Sequence, residues 1–324
     1  MPKGDKKMAE TNHAKKVCEN RNCPICNSSH AEILPFYSIR FDASAQCAVS
    51  VCNECSHVYL SRLWSQQVYE EFYKSEYRKL VGFNKTYDED LFFEDTKLRG
   101  AQIVSFVAQF LQKDTNILEI GCGNGGILQA FKEAGYNKVS GIEPNEKEAQ
   151  LAVDKYQLDV INGMPDFSKI PDKTFGLILI VASIDHFTHP REYLEKIKSK
   201  IKDGGYIFID GFDIEAQMNL GVFNPKMDHP SYFSGLTIRR LLNVSGYELI
   251  KFTRNFSFFS PLYSFKGANR DSRLGFQVLA RVGESEVSVA NADASVAVDY
   301  IKRSFRKHYT ITAKILKKVM KMFG

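Results

Sequence analysis

From residue 114 onward, the apolar positions alternate between short continuous runs and helically spaced stripes. Ile117 to Ile120 is such a run, and it enters a glycine loop followed by a helical pattern that ends near Gly135. A second run at 138–142 leads into a helix opened by Asn145, with Glu148 three residues on, similar to a capping box. A short strand is expected at 158–161, and the uninterrupted Phe175–Val181 suits a strand buried on both faces. Pro190 starts a helix over 191–202, which Gly204 and Gly205 terminate ahead of a strand at 206–210. Ser234 caps a helix ending at Gly246, and strands near 247–253 and 275–281 complete the set. Strands alternating with helices predict an α/β fold, a doubly wound, Rossmann-like and mostly parallel sheet over 114–282.

The flanks read differently. Residues 1–22 are polar and charged, the pattern of a disordered tail. Residues 61–113 read as helices, with Val68, Phe72, Ile103, Phe106, Val107 and Phe110 at helical spacing. Within them, the aromatic and charged stretch Tyr69–Arg78 precedes the first strand, where it packs as core or folds over the sheet edge as a lid. Residues 283–297 are small and polar, a linker, and 298–324 form a basic amphipathic helix with Ile301, Phe305, Tyr309, Leu316 and Phe323 on one face. Such a helix suits either an anionic membrane surface or docking against its own domain or a second copy.

With 44% hydrophobic and 25% charged residues the composition is that of a globular protein. The net charge of +5 hides an asymmetry: residues 300–324 carry eight Lys and Arg and no acid, so the remainder is three charges negative. A body without net positive charge disfavours nucleic acid as a partner. The start lacks the apolar core of a secretory signal, and the longest apolar run, Phe175–Ile184, is half of what a membrane span needs. A cytoplasmic protein is expected, in peripheral membrane contact if residues 301–324 lie on a bilayer. Seven cysteines then read as thiols or metal ligands, not disulfides.

Four of them fall in two knuckles, Cys23-Pro-Ile-Cys26 and Cys52-Asn-Glu-Cys55, with 25 β-rich residues between. Each knuckle brings two thiolates to one metal, and the doubled spacing predicts a closed, structural zinc ribbon over 23–60. His30 and His57 flank the knuckles as substitute ligands, while Cys18 and Cys47 lack partners at that spacing.

The glycine loop carries the cofactor reading. Gly121, Gly123 and Gly126 let the backbone turn tightly against a ligand, and the next helix offers unpaired N–H groups to an anion. Glu143, twenty residues past Gly123, ends the second strand, where a carboxylate accepts hydrogen bonds from both ribose hydroxyls. This pattern also satisfies the dinucleotide fingerprint. Glu119, two residues before the first glycine, tips the balance, because an anion there suits the ammonium and sulfonium of S-adenosylmethionine and repels a pyrophosphate. Glu119-x-Gly121-x-Gly123-x-Gly125 resembles motif I of class I methyltransferases, and Gly141-Ile-Glu-Pro-Asn145 looks like the family's next motif. The resemblance implies an S-adenosylmethionine pocket that includes Cys122, Pro144 and Ala182 as well, with Asp166 near the adenine amine. Gly176 departs from the family's usual Asp at the strand entry.

Two histidine elements follow the pocket. His186 sits at the C-terminal edge of the Phe175–Val181 strand, which the switch-point rule puts beside the cofactor. Asp228-His-Pro-Ser-Tyr-Phe-Ser234 resembles the "His-x-x-Tyr-Phe-Ser" element of bacterial methyltransferases with an N-terminal zinc module, some of which C-methylate nucleotide-linked keto-sugars. That resemblance implies that His229 and Tyr232 remove a proton from the acceptor. The expectation is methyl transfer to carbon or oxygen of a small polar acceptor, a sugar or sugar nucleotide. An RNA methyltransferase ranks second, because Arg40 is the only Lys or Arg in 23–60. A non-catalytic cofactor-binding scaffold tethered by the basic tail is the third reading. Oligomeric state is open.

Overall fold

A computed structural model describes residues 18–37, 46–77, 88–219, 223, 225–256, 275–283 and 296–304. At its centre are parallel strands β6 (Ile117–Ile120), β7 (Val139–Glu143), β8 (Val160–Asn162) and β9 (Phe175–Val181). They continue into β10 (Ile201–Phe212), β12 (Tyr247–Phe256) and β13 (Gly275–Val282). The spatial order is β12-β13-β10-β9-β6-β7-β8, with β13 antiparallel to both neighbours. The chain order reverses between β6 and β9, and that crevice is where an open α/β sheet receives its ligand. The doubly wound, mostly parallel sheet is therefore as predicted.

Helices α2 (Glu89–Val107) and α3 (Gly126–Glu133) cover one face, where Ile103, Phe131, Leu177 and Phe208 are fully buried. Helices α5 (Pro190–Lys198) and α7 (Gly235–Val244) cover the other with Leu194, Ile197 and Leu241. The cap readings are good locally. Asn145 Oδ1 accepts from Glu148 N at 3.1 Å to open α4 (Glu146–Asp154), and Ser234 and Thr237 form a reciprocal capping box on α7. Gly204 and Gly205 do not end a helix: α5 stops at Lys198, and the glycines lie inside β10, where its pairing with β9 shifts between Ile201 and Tyr206.

Two predicted boundaries are corrected at the N-terminus. Residues 18–20, expected in the tail, form β1 (Cys18–Asn20), which pairs with β5 (Arg62–Trp64) and so makes the start of 61–113 a strand and not a helix, while residues 1–17 lie outside the described residues. Arg21 follows as a clamp. Its guanidinium donates to the Leu60 carbonyl at 2.9 Å, to that of Pro230 at 2.5 Å and to that of Thr188. Next, β2 (Ala31–Tyr37), β3 (Gln46–Cys52) and β4 (Val58–Leu60) form an antiparallel sheet completed by β11 (Ser231–Tyr232), a segment from the far end of the chain. The loop bearing His229 is thus stitched to the N-terminal module.

Helix α1 (Gln66–Glu71) and one π turn, Phe72–Glu76, run over the sheet edge. A π turn often marks a functional site because it re-aims side chains. A final helix, residues 296–304, buries Val298 and Ile301 against Trp64, Leu60 and Met218. Lys302 pairs with Glu32 at 2.7 Å, and Tyr300 donates to Asn219 at 2.6 Å. Burying each of the two aliphatic side chains contributes roughly 1.5–3 kcal/mol. Of the two settings expected for the apolar stripe, a membrane surface or a docked face, Ile301 takes the docked one. Most of the predicted 298–324 helix and of the 283–297 linker lies outside the described residues. Among the described residues no helix is long and apolar enough to cross a membrane.

Candidate active site

The C-terminal ends of β6, β7 and β9 open on one cavity, roofed by α1 and the π turn and flanked by α2. The glycine loop forms its floor. Gly121 (φ +78°) donates its N–H to the Ile142 carbonyl at 2.8 Å, and a Cβ there would come 2.6 Å from Ser183 Oγ. Gly125 (φ +86°) opens α3, and a Cβ on it would come 2.3 Å from Leu158 Cδ1. Side chains at either position would fill the cradle or strain its backbone. Cys122 fills the loop from within, its thiol pushed up by burial. Pro144 and Ala182 line the cavity too, and Ala182 holds a left-handed backbone (φ 49°).

Two carboxylates define the ligand chemistry. Glu143 is 8% exposed; its Oε2 accepts from Gly123 N at 2.8 Å and its Oε1 from Asn145 N at 2.7 Å. Those bonds fix both oxygens at the mouth and leave each lone-pair capacity for a hydroxyl. Glu119 is 1% exposed, and its Oε2 accepts no hydrogen bond. Burial pushes its carboxyl up to about 8, opposed by Arg99 and reinforced by Glu143. A buried carboxylate oxygen without a donor fits a cationic ligand group. Sequence reasoning missed Arg99: it lines the cavity from α2 and forms an ion pair with Asp210, which also accepts from Gln277 at 3.1 Å. Only the fold brings those three residues together. Asp166 does not line the cavity. Its carboxylate accepts from Ser168 and pairs with Lys169 at 3.1 Å, which hold it below the usual range, while Met164 and Pro165 supply the wall.

The opposite wall is aromatic. Tyr73, Tyr77, His186, Phe187 and Tyr193 face the cavity. Tyr73 Oη donates to the Asp228 carbonyl at 2.8 Å, and His186 Nδ1 lies 2.7 Å from the same oxygen and 2.9 Å from Tyr73 Oη. A carbonyl only accepts, so His186 carries its proton on Nδ1 and Nε2 is the basic nitrogen. Nε2 lies 3.5 Å from Tyr77 Oη. Burial pushes the Tyr73 phenol well up, which keeps it a donor.

His229 and Tyr232 do not line this cavity. They sit in a small adjoining pocket with Asp185, Ile214 and Phe233. His229 Nδ1 lies 3.3 Å from Asp185 Oδ2 and its Nε2 3.6 Å from Asp228 Oδ2. Tyr232 Oη accepts from Lys226 N at 2.8 Å and closes its loop by donating to Lys226 O at 3.2 Å. The rings of His186 and His229 meet edge-on, 4.6 Å between centroids. Of the two histidines singled out in the sequence, the side chain that reaches the cavity is His186.

The four knuckle cysteines converge on one point. Both knuckles fold alike, with a left-handed residue one past the second cysteine (Asn27 and Ser56, each φ 59°) and matching bonds Asn27 N to Cys23 O and Ser56 N to Cys52 O at 2.9 Å. Cys23 Sγ is 3.4 Å from Cys55 Sγ, Cys26 Sγ 3.5 Å from Cys52 Sγ, and all four lie within 4.8 Å of one another. Bond lengths of about 2.3 Å in a tetrahedral zinc site place the sulfurs about 3.8 Å apart, so the donor set fits. Neither flanking histidine joins it: His30 turns to Glu54 at 3.2 Å, and His57 is buried against Tyr59 and Phe233, its imidazole pushed down to about 3 by burial.

Residues 92–251 match the family model of a methyltransferase domain. A tRNA U34 carboxymethyltransferase of Idiomarina loihiensis is 29% identical over 144 residues, 39% of this chain and 43% of that protein. A ribosomal protein L11 methyltransferase of Burkholderia mallei is 29% identical over 112 residues, 33% of this chain and 35% of that protein. The matches therefore span less than half of these curated relatives. Among solved structures, a magnesium protoporphyrin IX methyltransferase from Synechocystis PCC 6803 with bound SAH covers 68% of this chain and 100% of that one, at 13% identity and a TM-score of 0.47. The stretch 92–251 is a methyltransferase domain. The glycine loop, Glu119 and Glu143 lie inside the matched residues.

Proposed function

We propose that this protein transfers the methyl group of S-adenosylmethionine to a carbon or oxygen atom of a small polar acceptor, a sugar or sugar nucleotide. One observation carries the reading: a single cavity sets the two cofactor carboxylates, Glu119 and Glu143, against a basic imidazole nitrogen of fixed tautomer, His186 Nε2. When bound, the cofactor supplies an activated methyl for in-line displacement.

The protein's work is then holding and proton removal. Glu143 takes the ribose hydroxyls, Glu119 the cationic end, and the Gly121–Gly125 loop lets the backbone approach. The aromatic roof of Tyr73, Tyr77 and Tyr193 excludes water and stacks on a ring-shaped acceptor. A hydroxyl, or a carbon beside a carbonyl, must lose a proton to become a nucleophile; His186 Nε2 takes it, with Tyr77 Oη as the neighbouring relay. His229 and Tyr232, the general-base pair implied by resemblance, act behind His186. The four cysteines hold one structural zinc ion that fixes the N-terminal module and, through β4, the β11 loop. A cytoplasmic setting fits these thiols.

The relatives leave the acceptor class to experiment. Purified protein with methyl-labelled cofactor is offered sugar nucleotides, transfer RNA and ribosomal protein. Label in sugar nucleotide that vanishes in His186→Gln supports the reading; label in RNA or protein alone replaces the acceptor assignment.

A further inference from the structure

Between the main cavity and the small adjoining pocket lie two imidazoles and two carboxylates that methyl transfer does not fully use. We infer that Asp185, His186 and His229 form a second metal site, one that takes a divalent cation of the zinc type.

The spacing is that of ligands sharing an ion. One oxygen of Asp185 and one ring nitrogen from each histidine lie within 4.8 Å of one another. The Asp185–His229 approach, 3.3 Å, is long for a charge-assisted hydrogen bond. It matches the edge of about 3.4 Å expected when nitrogen and oxygen ligands each lie about 2.1 Å from a tetrahedral ion.

An independent observation comes from Asp228. It is fully buried, and neither carboxylate oxygen accepts a hydrogen bond, although Oδ2 lies 3.6 Å from His229 Nε2. Asp185 Oδ1 is likewise buried without a donor. Two carboxylates thus face two imidazoles, with Lys226 adding positive charge from nearby. A dication supplies the missing counter-charge and leaves Asp228 to orient the ligand imidazole, as carboxylates beside metal-bound histidines do. Two imidazoles and a carboxylate select zinc, iron or cobalt over magnesium and calcium. Since His186 Nδ1 faces the Asp228 carbonyl, the ion is held through Nε2, the nitrogen that otherwise takes the acceptor's proton, so the metal-bound form of the site and its base form exclude each other.

Metal binding here does not depend on methyl transfer, so the test measures metal. The full chain is stripped with chelator, incubated with zinc and desalted, and zinc is counted by mass spectrometry. Two zinc ions per chain are expected, falling to one in Asp185→Asn and in His229→Gln. One ion in the wild type, or two retained in both variants, overturns the site. Cobalt titration covers variants that fail to fold. In the wild type, the thiolate charge-transfer band should saturate at the first equivalent, while the second adds only visible bands of a nitrogen and oxygen site. A single thiolate-type equivalent would contradict the inference.

Discussion

The raised carboxyl of Glu119 makes cofactor affinity depend on pH in a defined direction. With its carboxyl near 8 in the empty cavity, Glu119 is protonated at neutral pH. Lifting it from 4.5 to about 8 corresponds to about 5 kcal/mol of unfavourable charging. A cationic ligand group beside the lone Oε2 reverses that cost, and binding must expel the proton. Affinity for the adenosyl ligands should rise about tenfold per pH unit between roughly 6 and 7, then flatten above about 8. The empty protein shows the opposite trend. Its folded state holds a proton that the unfolded state releases near 4.5, so stability falls as pH rises from there to about 8. Calorimetry in two buffers of different ionisation enthalpy reads both affinity and proton release, with about one proton expelled per ligand near pH 6.5. Glu119→Gln should bind more weakly and lose the slope. An affinity that stays flat across this range, or a slope that persists in Glu119→Gln, would refute the reasoning.

Three other substitutions separate the parts of the molecule. His186→Gln should lower turnover by roughly 100- to 10,000-fold with adenosyl affinity kept, because the cavity loses its base and not its cofactor contacts; steady-state kinetics on the labelled-methyl acceptor reads it. Arg21→Ala strips charged donors from the Leu60, Thr188 and Pro230 carbonyls and should cost about 3 kcal/mol or more in urea unfolding. Cys52→Ser should lose the structural zinc and lower the melting temperature, and a chelator should reproduce both effects on the wild type.

What the sequence made legible was local. A glycine loop after an apolar run, an acid at each of two strand ends, paired cysteine knuckles and the Ser234 cap are decided within a few residues, and each stands where the pattern put it. What stayed hidden depends on partners far along the chain. Arg21 looked like part of a tail because its three acceptors lie 39, 167 and 209 residues away. The pairing of β11 with β4 pins the Asp228–Ser234 loop against the ribbon, and this turns His229 into the small pocket and leaves His186 facing the cavity. The apolar stripe of the last helix was visible, but a stripe does not name its neighbour; Ile301 found the ribbon core.

The central claim is an adenosyl pocket built on Glu119, the Gly121–Gly125 loop and Glu143. Calorimetric titration of the purified protein with S-adenosylmethionine, S-adenosylhomocysteine and NADH tests it most directly, with Glu143→Ala as the matched variant. Micromolar binding of both adenosyl ligands, lost in the variant and absent for NADH, is the predicted result. Failure to bind either adenosyl ligand, or binding of NADH in their place, would contradict the account.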